Sequence, residues 1–150
     1  MFTVQEEVGL RGAQTSALQI QPDFSFGLDT TIAYDVPGST PQERCTALGE
    51  GAGIKLMDSS VICDYRMVAF MKATAARHKI KWQPEILSAG GTDTASLQRM
   101  VGGGSIAGAV SVPTRHIHQS IESCHKDDLA ACIALLAACV CDLDKHKWEF

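Results

Sequence analysis

Short runs of aromatic and β-branched residues alternate along this chain with longer stretches whose apolar residues recur every three or four positions. Phe2-Thr3-Val4-Gln5 alternates and predicts a strand ending at Glu6-Glu7, a turn through Gly9 and Gly12, and a helix over residues 13–20 broken at Pro22-Asp23. Residues 24–31 predict a second strand, 35–50 a loop poor in apolar residues, and 53–57 a short strand. Val61, Val68, Met71 and Ala75 keep helical spacing and predict a helix over 60–78, with Arg77 and His78 in its last turn, where the helix dipole favours cations. A strand over 80–87, a loop over 89–93 and a short helix over 94–100 follow, then a strand over 106–112 that Pro113 stops. The last helix, 127–142, offers Leu129, Cys132, Ile133, Leu136, Cys139, Val140 and Leu143 as an inward face, with Asp127 and Asp128 at its start.

Strands alternating with helices predict an α/β fold: a mixed, mostly parallel sheet with helices on both faces. At 150 residues the chain fits one domain with a sizeable core. The net charge of −4, with no run of Lys or Arg, argues against a nucleic-acid or anionic-membrane partner. The longest apolar stretch, 129–140, falls short of the roughly 20 residues a membrane span needs. No basic segment followed by an apolar run opens the chain, so no secretory leader is read there. None of the six cysteines forms C-x-x-C, which suits reduced core thiols and a cytoplasmic location. Cys139 and Cys141 make a poor metal pair, because on a helix their side chains point about 200° apart.

The residues able to do chemistry fall at expected strand ends, where open α/β sheets bind ligands: Glu6-Glu7, Asp29, Asp93 and His118. Adjacent residues of an extended strand face opposite sides, so Glu6 and Glu7 can share one site only where the strand gives way to a turn. One carboxylate could then hold a metal while its neighbour takes a proton from a water. Taken alone, such a pair is more often a solvated surface pair. His116 and His118, read on a strand, share a face and could bind metal or serve as structural histidines. Asp29 would be costly to bury without a metal, an Arg or a helix N-terminus. Gly90-Gly91-Thr92-Asp93 reads equally as a substrate loop presenting backbone N–H groups and as a plain left-handed turn.

These features occur in a recognisable order. Phe2-Thr3-Val4-Gln5-Glu6-Glu7-Val8-Gly9-Leu10-Arg11-Gly12-Ala13 resembles the signature segment of the glutamyl/tetrahedral aminopeptidase family. Leu28-Asp29-Thr30-Thr31 with Asp35-Val36-Pro37-Gly38, Ile54-Lys55-Leu56-Met57-Asp58-Ser59, Gly90-Gly91-Thr92-Asp93, and Ser111-Val112-Pro113-Thr114-Arg115-His116-Ile117-His118 with Glu122 resemble later blocks. The resemblance covers essentially the whole chain. It implies a zinc-exopeptidase-like fold, truncated at the N-terminus, and hydrolysis of N-terminal residues from peptides with two Zn²⁺ or Co²⁺ ions. By the same resemblance Glu6 matches the general base, Glu7 and His118 ligands of one metal, and Asp29 a ligand of the other. Gly90, Gly91, Thr92 and Asp93 match a segment lining the substrate cleft. Some relatives carry an endoglucanase label. A glycosidase would need two carboxylates flanking a sugar, which the adjacent Glu6 and Glu7 do not offer.

The resemblance also implies gaps. Residues 1–150 match the C-terminal part of the catalytic domain; the upstream part, with a His ligand and a metal-bridging Asp, and the inserted β-rich domain have no counterpart. His116 stands where the family usually has Tyr, and Gln119 where it usually has Ser. With Glu7 and His118 on one metal and Asp29 alone on the other, neither reaches about three protein donors. The expectation is therefore weak metal binding and little activity, or a non-catalytic remnant that binds a partner or a metal. An unpaired sheet edge would favour self-association or pairing with a complementing N-terminal half.

Overall fold

The computed structural model describes residues 1–148. Five strands form one sheet: β1 (Phe24–Ile32), β2 (Ala52–Met57), β3 (Trp82–Ile86), β4 (Ile106–Arg115) and β5 (Ser123–Cys124). Their order is β1-β4-β2-β3, with β5 alongside β4. The long β1–β4 ladder is parallel, from Phe24 opposite Ile106 to Ile32 opposite Thr114. The β2–β3 ladder is also parallel, whereas β2 and β5 run antiparallel to β4. Four helices cover the sheet: α1 (Arg11–Ile20), α2 (Tyr65–Arg77), α3 (Asp93–Arg99) and α4 (Lys126–Asp142). α3 packs on β1 and β4 with α1 beside it, and α2 and α4 pack together on β2 and β4. The fold is thus the expected mixed α/β sheet with helices on both faces, its long ladders parallel.

Glycine sets how closely the layers approach. A Cβ at Gly27 on β1 would run into Thr94 Oγ1 of α3, and one at Gly108 on β4 would lie 2.5 Å from Met67 Cγ and 2.9 Å from Met71 Sδ of α2. The core between the sheet and α2 and α4 holds Ile54, Met67, Phe70, Met71, Val110, Cys132, Leu135 and Cys139. Burial raises the Cys63 and Cys132 thiols to a pKa of about 12 and Cys139 to about 11, so they pack as neutral thiols. The cysteines are all unpaired. Among the described residues no helix is long and apolar enough to cross a membrane.

The structure departs from the sequence pattern in four places. Residues 2–5 form no strand, and Phe2 and Val4 lie exposed. Their backbone turns back on α1 instead: Gly12 and Arg11 donate to the carbonyls of Val4 (2.9 Å) and Gln5 (3.2 Å). Gly12 makes this possible, since a Cβ there would sit 2.5 Å from the Val4 nitrogen. α2 begins at Tyr65 rather than Ser60, because Cys63 and Asp64 still donate to Leu56 and Ala107 of the sheet. Asp64 then caps α2 by accepting from the Arg66 N–H at 2.9 Å. β4 runs through Pro113, because β2 pairs with β4 only at Ser111 and Val110 and Pro113 lies beyond that ladder. On α4, Cys132, Leu135 and Cys139 face inward, while Leu129, Ile133 and Val140 face solvent. A helix apolar on all sides does not announce its packed face; Asp128 sets it here by accepting from the Gly49 and Gly51 N–H groups at 2.7 and 2.8 Å.

The C-terminal ends of α2 and α4 are joined through Asp142. Its carboxylate pairs with His78 Nε2 (2.8 Å), Lys145 Nζ (3.0 Å) and Arg77 Nη2 (2.8 Å). These partners hold its pKa well below 3.8, the ordinary value for aspartate. A carboxylate lowered in the folded state contributes stability above its unfolded pKa and loses it as pH falls through the folded one. Asp142→Asn is therefore expected to lower the melting temperature at neutral pH. The gap from the parent should close as pH drops below 3.8, and thermal unfolding across that range reads both.

Candidate metallopeptidase site

Five segments meet at one cleft of about 560 Å³: the turn before α1, β1, the end of β2 with the turn after it, the loop before α3, and the turn after β4. Glu6 and Glu7 begin a 3-10 turn, Glu6–Val8, so the turn rather than a strand end lets both carboxylates reach the cleft. Asp29 sits inside β1, opposite Ser111, rather than at its end. β4 ends at Arg115, so His116 and His118 lie in a turn with φ of 57° and 64° and share no strand face. Gln5 and Leu10 also take positive φ, at 58° and 57°, so left-handed backbone of non-glycine residues flanks the cleft on both sides. The His118 N–H donates to the Glu122 carboxylate, which anchors that turn.

His118 Nε2 lies 3.6 Å from Glu7 Oε1, both largely exposed. Glu6 is raised to a pKa of about 6, first by burial and then by the charges of Asp29, Glu7 and Asp93, against a smaller opposing effect of His118. Asp29 is raised as well, by burial, although the Thr30 N–H donates to it at 2.7 Å. Gly90, Gly91 and Thr92 line the cleft, and Ser59 Oγ donates to the Gly90 carbonyl to hold the loop. Asp93 stands apart from that lining: it opens α3 and accepts from Thr3 Oγ1.

The floor of the cleft holds a charge cluster that periodicity did not reveal, with Lys55 and Asp58 in the lining. Lys55 and Glu85, directly paired across β2 and β3, are buried with Asp58. Lys55 Nζ is 2.5 Å from Glu85 Oε1 and 3.2 Å from Asp58 Oδ2, and Thr31 Oγ1 donates to Glu85 at 2.7 Å. Burial works to depress the Lys55 pKa, but Glu85 and Asp58 outweigh it and hold it above its ordinary value. The available signal was a lysine and a glutamate inside otherwise apolar strands; their register cannot be read from one sequence.

Among the described residues no three His, Cys, Asp or Glu side chains gather closely enough to hold an ion. Glu7 and His118 form a pair, and Asp29 reaches the same cleft without joining them. A catalytic zinc takes about three protein ligands.

The model of the M42 glutamyl aminopeptidases matches residues 1–135. This chain belongs to the M42 glutamyl aminopeptidase family. It is 42% identical over 142 residues to a protein of Acetivibrio thermocellus named "Putative aminopeptidase", covering 94% of this chain and 42% of that one. It is 33% identical to the glutamyl aminopeptidase of Lactococcus lactis, covering 96% and 39%. Among solved structures, an aminopeptidase from Desulfurococcus kamchatkensis superposes with a TM-score of 0.87 at 38% identity, covering 91% of this chain and 38% of that one. The TET1 peptidase of Pyrococcus horikoshii, which assembles into a tetrahedron or a large octahedral shell, superposes with a TM-score of 0.79. The chain thus spans about two fifths of its relatives' length. The family's zinc-exopeptidase-like fold is the one observed, and its members are divalent-metal peptidases.

Two outcomes are expected. Lys55→Met strands two buried carboxylates and should destabilise the fold by about 3–5 kcal/mol, measured by denaturant unfolding. For Glu6, the folded state binds more protons between pH 4.5 and about 6, so stability falls as pH rises through that window. Glu6→Gln should remove that slope, leaving the variant more stable than the parent at neutral pH and equal to it below pH 4.5, by thermal unfolding at both.

Proposed function

We propose that this chain carries one side of a metal-dependent aminopeptidase site, which removes N-terminal residues from peptides when its donor set is complete. The observation that carries the reading is the convergence of Glu6, Glu7, Asp29 and His118 from separate segments on one cleft. Glu7 and His118 would hold one divalent ion, zinc or cobalt, and Asp29 would hold a second. Such ions supply a Lewis acid and a more acidic water.

Glu6 is assigned the proton transfer. With a pKa of about 6 it is mostly ionised at neutral pH, so it can take a proton from a water, and once protonated it is acidic enough to give that proton to a leaving amine. Gly90, Gly91 and Thr92 would shape the wall on which the substrate backbone lies. The carboxylates at the cleft favour a cation, which suits the ammonium group of a peptide N-terminus. The unpaired thiols suit a reducing, cytoplasmic setting.

The short donor set favours a second reading, a non-catalytic chain that binds a partner or a metal. Purified chain, assayed with aminoacyl-p-nitroanilides and added Zn²⁺ or Co²⁺, separates the two. The expected result is weak metal uptake, lost in His118→Ala, with slight hydrolysis that Glu6→Gln abolishes. Metal uptake unaffected by His118→Ala would overturn the ligand assignment. Hydrolysis that survives Glu6→Gln would overturn the base assignment, and no hydrolysis under any condition favours the second reading.

A further inference from the structure

The carboxylates on the two sides of the cleft are both referenced to the start of α3. Thr94, the second residue of α3, lies so close to Gly27 of β1 that a Cβ there would run into its Oγ1. Strand side chains alternate between faces, so Asp29 is the next residue along the face that Gly27 turns to α3. On the other side, Asp93 accepts from Thr3 Oγ1. Among the described residues this is the only hydrogen bond that a side chain of residues 1–9 makes to another element. The rest of that segment is held to α1 and its own turn through backbone: Gly12 donates to Val4, Arg11 to Gln5, and Leu10 to Glu6. The charge of Asp93 acts on both Glu6 and Asp29, so its carboxylate stands near both. Its Oδ1 is buried with no hydrogen-bond partner among the described residues. An unpaired buried oxygen beside like charges costs stability, which fits a residue kept for the site rather than for the fold.

We propose that Asp93 is a positioning residue, which through Thr3 fixes the Glu6–Glu7 turn against β1 at the level of Asp29. The role rests on the aminopeptidase reading above, in which these carboxylates serve one site. It accounts for an aspartate that is absent from the cleft lining yet acts on two residues within it. Without the tether the turn would follow α1 alone, and Glu6 and Glu7 would lose their level with Asp29. A displacement of about 1 Å at reacting groups costs on the order of 10²-fold in rate.

The test compares Thr3→Val, which keeps the shape and removes the donor, and Asp93→Ala with the conservative Thr3→Ser and Asp93→Asn, which keep a donor and an acceptor. Amide hydrogen exchange reads the tether without any metal. In Thr3→Val and Asp93→Ala the Leu10 amide, which donates to Glu6, should exchange roughly tenfold faster. The Ile80 amide, held by Ala75 beyond α2, should keep its rate. Cobalt affinity, titrated by visible absorption, should fall about tenfold in the same two variants. Thr3→Ser and Asp93→Asn should retain both the slow exchange and the affinity. If Asp93→Ala does not fold, Thr3→Val decides. Unchanged Leu10 exchange in Thr3→Val would overturn the proposal, as would equal loosening in Thr3→Ser, or a loosened turn that binds cobalt as the parent does. A parent chain that takes up no cobalt removes the aminopeptidase reading, and the exchange pattern then decides the tether by itself.

Discussion

The parallel ladder between β1 and β4 is the constraint on which the site depends. It sets Asp29 opposite Ser111, so the turn that carries His118 leaves the sheet a short distance beyond the same level. The side-chain period of a strand is two, so a one-residue slip would turn Asp29 to the opposite face. Gly27 opposes this slip, because its face meets Thr94 of α3 at a separation that only glycine allows. Packing of a helix thus fixes the register, and the register fixes the chemistry.

That register also explains the charge cluster under the cleft. β2 and β3 bring Lys55 and Glu85 side by side, and Asp58, just past the end of β2, folds back over them while accepting from the Ser60 and Val61 N–H groups. A buried ammonium shared by two carboxylates gains little net stability over apolar side chains, but each member becomes costly to remove. The lysine's charge is answered first by Glu85 and Asp58, and it also acts on Asp29, lowering its pKa against the stronger effect of burial.

Much of this was legible in the sequence, for reasons that differ by element. β1, β2 and the core of β4 are apolar runs bounded by turn residues, and the order of the Glu6-Glu7, Asp29, Gly90-Gly91 and His118 blocks pointed to the family before any geometry. Where the pattern failed, tertiary pairing had decided. Residues 2–5 alternate as a strand does, but alternation makes a strand only beside another edge, and the Val4 and Gln5 carbonyls accept from Gly12 and Arg11 instead. The histidines at 116 and 118 share a face only if the strand continues, and left-handed backbone ends it. α4 is apolar around its whole circumference, so its periodicity could not say that Leu135 packs and Ile133 does not.

The electrostatics of the cleft favour a cation. Glu6, Glu7, Asp29 and the nearby Asp93 are like charges gathered where burial already disfavours ionisation, and the raised Glu6 and Asp29 measure that strain. Among the described residues His118 pairs with Glu7, and Lys55 is shared between Glu85 and Asp58 while acting more weakly on Asp29. A divalent cation would relieve the repulsion, but attraction alone does not make a metal site, which also needs donors at the right distances.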